Sequence, residues 1–144
     1  MKKLRVRARD GHVCDSYEEA AVDDFLYQNG IEHKKVLRRW ALSQYFYRNS
    51  YSYPDWIIHG EFVEYLGLAG VPGYDRKVAR KINGARPGKS YHFLLPYKKV
   101  FGSNCQIIHV SKKGMATIHL TDFRTYLLKR FRKYANESIY SYIE

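Results

Sequence analysis

Two carboxylates lie in a part of the chain where they could bind a divalent cation together. Asp55 follows Pro54 at the start of one short apolar run, and Glu64 lies inside the next run. The two runs meet at a Gly-containing turn, which predicts a β-hairpin and brings both carboxylates to one place. Mg²⁺ prefers oxygen ligands, so two carboxylates and a phosphate oxygen form a plausible set. Such an ion polarises a phosphate and activates water, and a nearby ammonium would stabilise the negative charge that develops.

The bulk properties narrow the class of protein. The chain has 144 residues, 45% of them hydrophobic, and we interpret residues 1–144 as a single domain. A net charge of +11 and a pI near 9.6 favour a polyanionic partner, best assigned as DNA. No long apolar run is present, so no membrane partner is predicted. The basic residues 1–7 have no apolar stretch behind them, so we expect no export signal and an intracellular location.

The elements that must position a site follow from periodicity and turn signals. Residues 4–8 suit a short strand, and Ser16 with Glu19 forms a capping box before a helix that ends near Gly30. The stretch 34–53 is compatible with a helix or a strand. After the hairpin over 54–66 we expect a helix that contains Tyr74, Val78 and Ile82 and ends near Gly84, strands at 91–100, 105–110 and 115–120, and a basic helix over about 121–136. This order indicates a mixed α/β domain.

The ordered motifs resemble one enzyme superfamily. Ser16-x-x-Glu19, then Tyr53-Pro54-Asp55, then Val63-Glu64-Tyr65-Leu66-Gly67 and a helical Lys81 are similar to the core of PD-(D/E)xK nucleases. The nearest variant is the nuclease-like module of some bacterial helicases, and the likeness covers about residues 12–83. It implies a restriction-endonuclease-like fold, with a central mixed sheet flanked by helices. The order of the motifs along the chain carries the resemblance, and no single motif does.

The resemblance also implies roles for individual residues. Asp55 and Glu64 correspond to the metal ligands, and Glu19 to the acidic residue on the first helix that helps to hold the metal or its water. The simplest members place a lysine two residues after the glutamate, where this chain has Leu66. The resemblance therefore moves the lysine to the following helix, where it marks Lys81, with Lys77 one turn earlier.

Each of these residues also has an ordinary structural explanation. Glu19 could act only as the capping partner of Ser16, and Asp55 could be a turn residue. Glu64 could lie on a solvated strand face, and Lys77 and Lys81 on the exposed side of a helix. Two further acidic residues are not assigned to the site, because Glu61 is expected in the hairpin turn and Asp75 at the cap of the next helix.

Other side chains have weaker signals. His12, Cys14, Cys105 and His109 have spacings that a zinc site can use, but two ordinary intracellular thiols are the preferred interpretation. His92, His109 and His119 lie in strand-like runs and are expected to be structural. An aromatic group in the segment 40–53 could stack on bases, although packing is the commoner use.

The sequence therefore predicts a Mg²⁺- or Mn²⁺-dependent DNA endonuclease of the homing, restriction or repair type. Cleavage of both strands by one small site favours a homodimer or higher symmetric oligomer. Two alternatives stay open: a non-catalytic nucleic-acid-binding protein that keeps the fold, and an RNA-processing nuclease. The basic residues assigned to nucleic-acid contacts are Lys77, Arg86, Lys89, Lys112, Lys113, Lys129, Arg130 and Lys133.

Overall fold

A computed structural model describes residues 5–36, 54–85, 87–97 and 100–135, without the side chains of 97 and 100–104. The ambiguous stretch after 36, its aromatic residues and Arg86 lie outside these ranges. Strands are β1 (Val6–Arg7), β2 (Val13–Cys14), β3 (Lys34–Lys35), β4 (Trp56–Ile58), β5 (Glu61–Tyr65), β6 (Tyr91–Tyr97), β7 (Val100–Val110) and β8 (Ala116–Thr121). Helices are α1 (Tyr17–Gln28), α2 (Asp75–Asn83) and α3 (Phe123–Phe131), and a 3-10 turn follows at Arg132–Tyr134.

Six of the strands form one mixed sheet in the order β3-β4-β5-β6-β7-β8. Neighbouring strands are antiparallel except β5 and β6, which run parallel because α2 connects them as a crossover. β1 and β2 form a separate two-stranded hairpin. The predicted mixed α/β architecture is confirmed at this level.

Helices cover both faces of the sheet. One face packs against α1 and α3, and its core contains Val22, Leu26, Ile31, Trp56, Ile58, Val63, Leu94, Ile107, Phe123, Leu127 and Phe131. The other face packs against Val78 and Ile82 of α2, and its core contains Leu66, Ala69, Tyr91, Phe93 and Leu95. Alternation along β5 sends Val63 to the first face and Phe62 to the second. No helix in the described ranges has the length and apolar character needed to span a membrane.

Helix α1 begins and ends where its capping signals predict. The Ser16 side chain accepts a hydrogen bond from the Glu19 backbone N–H, at 3.0 Å. At the other end Gly30 has a φ of +68°, and its N–H donates to the Tyr27 carbonyl while the Ile31 N–H donates to the Leu26 carbonyl. These two bonds are a Schellman motif, which explains why a glycine is needed there.

The predicted hairpin over 54–66 is present, with a two-residue turn. His59 and Gly60 both have positive φ, at 48° and 77°, as a type I′ turn requires. Glu61 is paired with Ile58 and begins β5, so its placement in the turn was wrong. Its carboxylate instead accepts bonds from His92 and Arg130.

Other boundaries differ from the sequence-based expectations. Asp75 is the first residue of α2 and Tyr74 precedes it as the cap without a side-chain bond, so the assignment of Asp75 as the cap was wrong. The last α-helix begins after Asp122 and changes to a 3-10 turn at 132, so it is shorter than 121–136. Strand β7 begins at Val100 and is longer than expected.

A buried imidazole links the hairpin to α3. His92 is 0% exposed; its Nε2 lies 2.7 Å from the Glu61 carboxylate and its Nδ1 2.6 Å from the Tyr126 hydroxyl. Its ring stacks on His109 at 4.4 Å, and the His109 Nε2 lies 2.8 Å from the Ser90 hydroxyl. The prediction that His92 and His109 are structural agrees with these contacts.

This stack makes the stability depend on pH. Burial and the neighbouring His92 lower the pKa of His109 to about 4. The folded chain therefore stays unprotonated at His109 while the unfolded chain takes up a proton below about pH 6.5, so this contribution is present above pH 6.5 and is lost as the pH falls towards 4. We expect the wild type to lose about 1 kcal/mol relative to His109→Gln between pH 7.5 and 5, after allowance for partial exposure.

Urea unfolding of both chains at each pH measures this difference, and titrating groups that do not contact His109 cancel because they are common to both. His119→Gln is the matched control, because His119 is exposed on β8. A difference between wild type and His109→Gln that stays constant with pH would contradict the prediction.

Candidate active site

Asp55 lies directly before β4, beside the carboxyl end of β5. Its backbone N–H donates to the Val63 carbonyl at 3.0 Å, and its own carbonyl accepts from Val36 N–H at 2.9 Å. Its Oδ2 accepts from the Tyr65 backbone N–H at 2.8 Å. The backbone of Asp55 is therefore held from both neighbouring segments and its carboxylate from β5, which an ordinary turn residue does not require.

Glu64 lies within β5, opposite Phe93 of the parallel strand β6, and is 5% exposed. Lys81 extends from α2 and donates to the Glu64 Oε1 as an ion pair. The alternative that Glu64 lies on a solvated strand face is therefore wrong. The ion pair also separates the two candidate lysines, since Lys81 contacts the site and Lys77 is exposed on α2.

Glu19 contributes from the first turn of α1 and is 3% exposed. Its carboxylate does not return to the Ser16 N–H, as a full capping box would require; it accepts from the Asp15 backbone N–H. Its other oxygen lies 3.3 Å from the Lys35 ammonium. Glu19 therefore has both a capping role and a place in the buried charge cluster, and the two are compatible.

Lys35 is the residue that the sequence-based assignment missed. It lies on β3, is 8% exposed, and places its ammonium 3.3 Å from Glu19 and 3.9 Å from Asp55. The ammonium also lies 5.3 Å from the centre of the Trp56 ring. The only signal for it was a lysine next to Val36 in a stretch with no clear periodicity, which is indistinguishable from a surface lysine.

Burial changes the ionisation of these groups. Desolvation and the charge of Asp55 raise the pKa of Glu19 to about 8. Desolvation also raises the pKa of Glu64 to about 7, although Lys81 partly offsets it, and raises the pKa of Asp55. Burial alone would lower the pKa of Lys35, but Asp55 and Glu19 raise it. The raised pKa values mean that the ionised forms of these carboxyl groups are disfavoured here, and an added cation would stabilise them.

The donor set at this place suits a hard divalent cation. Asp55 and Glu64 present carboxylate oxygens on adjacent, hydrogen-bonded strands, and Glu19 lies on the Asp55 side. Oxygen ligands of this kind, with water filling the remaining positions, are what Mg²⁺ takes in proteins. Mg²⁺ is often held by only one or two protein carboxylates, so Asp55 and Glu64 are enough for such a site.

Most of the basic residues predicted to contact nucleic acid lie away from the candidate active site. A cleft of about 590 Å³ at the hairpin turn is lined by four of them, Lys89, Lys112, Arg130 and Lys133. Glu61 lines this cleft, whereas Glu64 belongs to the candidate active site. The two residues are three positions apart on β5, which corresponds to about 10 Å along the strand. The basic cleft therefore lies towards the opposite end of β5 from the candidate site. Lys113 and Lys129 are exposed and are the sequence neighbours of the cleft residues Lys112 and Arg130. Arg86 lies outside the described residues.

Arg130 has a partner in the protein. Its guanidinium lies 2.8 Å from the Glu61 carboxylate, which also accepts from His92. Burial would raise the pKa of Glu61, but its bonds to His92 and Arg130 lower it to about 2. Because this carboxylate stays ionised, Arg130 is a poorer candidate for a phosphate contact than Lys112 or Lys133.

The possible zinc set of His12, Cys14, Cys105 and His109 is not brought together. Both thiols are 0% exposed, Cys105 lies in the core beneath α1 and α3, and burial raises the pKa of Cys14 to about 12. Within the described ranges, the compact group of potential metal ligands is a different one, formed by Asp10, His12, Asp23 and His33. Of the four predicted residues, only His12 belongs to it.

The chain was also compared with known proteins. No family model matches it, and neither the curated proteins nor the solved structures contain a match. The interpretation of the site consequently depends on its own geometry and chemistry.

Proposed function

We propose that the chain is a metal-dependent DNA endonuclease of the PD-(D/E)xK type, with a restriction-endonuclease-like fold. The observation that carries this proposal is the convergence of Glu19, Asp55, Glu64 and Lys81 from α1, β4, β5 and α2. Helix α1, the β4–β5 hairpin and α2 are separate parts of the chain, and they bring together two buried carboxylates, Glu19 and Glu64, with the partly exposed Asp55 and Lys81. Buried carboxylates with perturbed pKa values are concentrated at functional sites.

Asp55 and Glu64 would hold one Mg²⁺ or Mn²⁺ ion. When bound, the ion supplies Lewis-acid polarisation of the scissile phosphate and activation of the attacking water. The Tyr65 N–H fixes the Asp55 carboxylate, so that one oxygen is oriented by the backbone. Glu19 lies beside Asp55 and would orient water at the site. Its pKa of about 8 makes its ionised form a stronger proton acceptor than an ordinary carboxylate.

Lys81 would stabilise charge on the phosphate. Its ammonium lies at Glu64 and is 19% exposed, so it is close to the proposed ligand and still reachable by a substrate. A cation placed where negative charge grows lowers the barrier to hydrolysis. Lys35 is more deeply placed between Glu19 and Asp55, and we assign it the role of holding these two carboxylates in position.

The substrate assignment to DNA depends on charge. A net charge of +11 and the basic cleft support binding to a phosphate backbone that extends beyond the cleaved bond. Cleavage of both strands of a duplex would then require two copies, so we propose a symmetric homo-oligomer. An RNA substrate is the competing assignment, and parallel assays on both nucleic acids distinguish them.

The basic cleft predicts a steep dependence of DNA affinity on salt. Each phosphate contact contributes about −0.9 to the slope of log K against log[salt], so Lys112→Gln combined with Lys133→Gln should flatten it by about 1.8. Fluorescence anisotropy with a duplex at several salt concentrations measures the slope. Lys34→Gln, an exposed lysine outside this cleft, is the control. An unchanged slope in the double variant would show that the cleft does not bind the backbone.

Incubation of a supercoiled plasmid with the chain tests the enzyme assignment. We expect nicked or linear DNA with Mg²⁺ or Mn²⁺ and none with EDTA. Ca²⁺, which usually supports binding more readily than it supports hydrolysis, provides a binding reference in a gel-shift assay. Binding without cleavage in every divalent ion would instead select the non-catalytic nucleic-acid-binding alternative.

A further inference from the structure

A second group of metal-ligating side chains lies outside the proposed active site. Asp10 and His12 come from the β1–β2 hairpin, Asp23 from the middle of α1, and His33 from the segment before β3. One ligand atom of each lies within 4.8 Å of all the others. The side chain of Asp23 is 0% exposed and that of His33 is 5% exposed.

The spacing of the ligand atoms is close to that of a tetrahedral site. His33 Nε2 lies 2.8 Å from Asp10 Oδ2 and 3.2 Å from Asp23 Oδ1, and His12 Nδ1 lies 2.9 and 3.0 Å from oxygens of the same two carboxylates. With metal–ligand bonds of about 2.0 Å, the ligands of a tetrahedral zinc ion are about 3.3 Å apart. Only small movements outward would be needed to admit an ion at the centre.

The hydrogen bonds around the group aim its lone pairs inward. The Nδ1–H of His33 donates to the Ile31 carbonyl at 2.7 Å, and a carbonyl can only accept. The neutral ring therefore presents the lone pair of Nε2 to the two carboxylates. Lone pairs that converge in this way require a proton, on the ring or between the two carboxyl groups, or a metal ion at their centre.

The outer contacts are those that orient metal ligands in proteins. The Trp56 Nε1–H donates to Asp23 Oδ2 at 2.9 Å, and the His12 backbone N–H donates to Asp10 Oδ1 at 3.1 Å. Together with the Ile31 carbonyl, they fix three of the four ligands from outside. His12 is the most accessible ligand, with 33% of its side chain exposed, and it borders a cleft of about 620 Å³ through which an ion could enter.

We propose that Asp10, His12, Asp23 and His33 bind one Zn²⁺ ion as a four-coordinate structural site. Two imidazoles and two carboxylates suit zinc, whereas Mg²⁺ takes oxygen ligands almost alone. The ion would tie the β1–β2 hairpin to α1 and to the segment entering β3. Asp23 is one turn from Glu19, and His33 is two residues from Lys35, so the site would brace two elements of the proposed active site.

Metal content and spectroscopy test this proposal on the full chain. After treatment with a chelator, the protein is titrated with Zn²⁺ or Co²⁺, and the bound metal is counted by mass spectrometry. We expect one tightly bound equivalent, the visible absorption of tetrahedral cobalt, and a rise in the thermal unfolding midpoint that the chelator reverses. The readout is bound metal, so the result does not depend on nuclease activity.

Two substitutions remove ligands without disturbing the most buried carboxylate. His12→Gln and His33→Gln should each weaken zinc binding at least about tenfold, while circular dichroism at low temperature checks that the chain remains folded. His119→Gln and the double variant Asp55→Asn with Glu64→Gln should still bind one equivalent of zinc. Absence of bound zinc in the wild type, or retention of full affinity in both histidine variants, would overturn the site and leave a protonated His33 as the cation.

Discussion

Asp55→Asn and Glu64→Gln are each expected to abolish metal-dependent cleavage, with a loss of at least about a thousandfold in the single-turnover rate. The physical reason is that each substitution removes a charged ligand of the proposed ion, and the ion supplies both phosphate polarisation and water activation. DNA affinity should stay similar or increase slightly, because repulsion between carboxylate and phosphate is relieved. Cleavage is measured at saturating enzyme and affinity by anisotropy in Ca²⁺.

Asp75→Asn is the matched control for charge, because Asp75 is an exposed acidic residue at the start of α2. It should cut at nearly the wild-type rate. Near wild-type cleavage by Asp55→Asn or Glu64→Gln would remove these residues from the active site.

Lys81→Met should slow the chemical step by about a hundredfold or more, the loss typical of one group that stabilises transition-state charge. Lys77→Met should mainly weaken binding, because Lys77 is exposed one turn away, about 5.4 Å along the helix axis. Single-turnover rates at saturating enzyme separate the two effects. A slow chemical step in Lys77→Met with a normal one in Lys81→Met would reverse the assignment.

Lys81 also pairs with Glu64, so its removal could act through that carboxylate. The dependence of the single-turnover rate on Mg²⁺ concentration separates the two roles, since a residue that only positions Glu64 acts through metal binding. A rate of Lys81→Met that stays low at saturating Mg²⁺ would support charge stabilisation. A rate that returns to the wild-type value at high Mg²⁺ would indicate a positioning role alone.

Local signals predicted the elements that carry the site. The Ser16 cap, the Gly30 Schellman motif and the two-residue turn at His59 and Gly60 are each specified within a few residues of sequence. Such signals depend on backbone geometry, so they are readable without knowledge of the fold. They placed Glu19 on a helix and Glu64 on a strand, and the structure has both there.

Contacts that span the fold were not predictable in the same way. Lys35 becomes a member of the carboxylate cluster only because β3 pairs with β4, and its segment has no clear periodicity. The role of Glu61 was missed because its partners, His92 and Arg130, lie 31 and 69 residues away along the chain. Sequence spacing carries no information about pairings at that separation unless the sheet order is known.

The same limit applies to the histidines. His12 and His33 were not linked, because nothing in the spacing between a hairpin and the segment before β3 indicates that the two rings lie 5.2 Å apart. Asp23 was not assigned any role from the sequence, although it is 0% exposed and bonded to Trp56. The sequence did contain a signal for its burial, because Asp23 lies next to Val22 and three residues before Leu26, both of which are in the core. A charged residue on the apolar side of a helix requires a partner.

Cleavage of a DNA duplex by the wild-type chain and by Asp55→Asn with Glu64→Gln, purified in parallel, is the most direct test of the proposed nuclease site. The parallel preparation matters because a contaminating nuclease would appear in both samples. We predict cleavage by the wild type in Mg²⁺, none in EDTA, and none by the double variant in Mg²⁺. Equal cleavage by both proteins, or none by the wild type in either Mg²⁺ or Mn²⁺, would contradict the account.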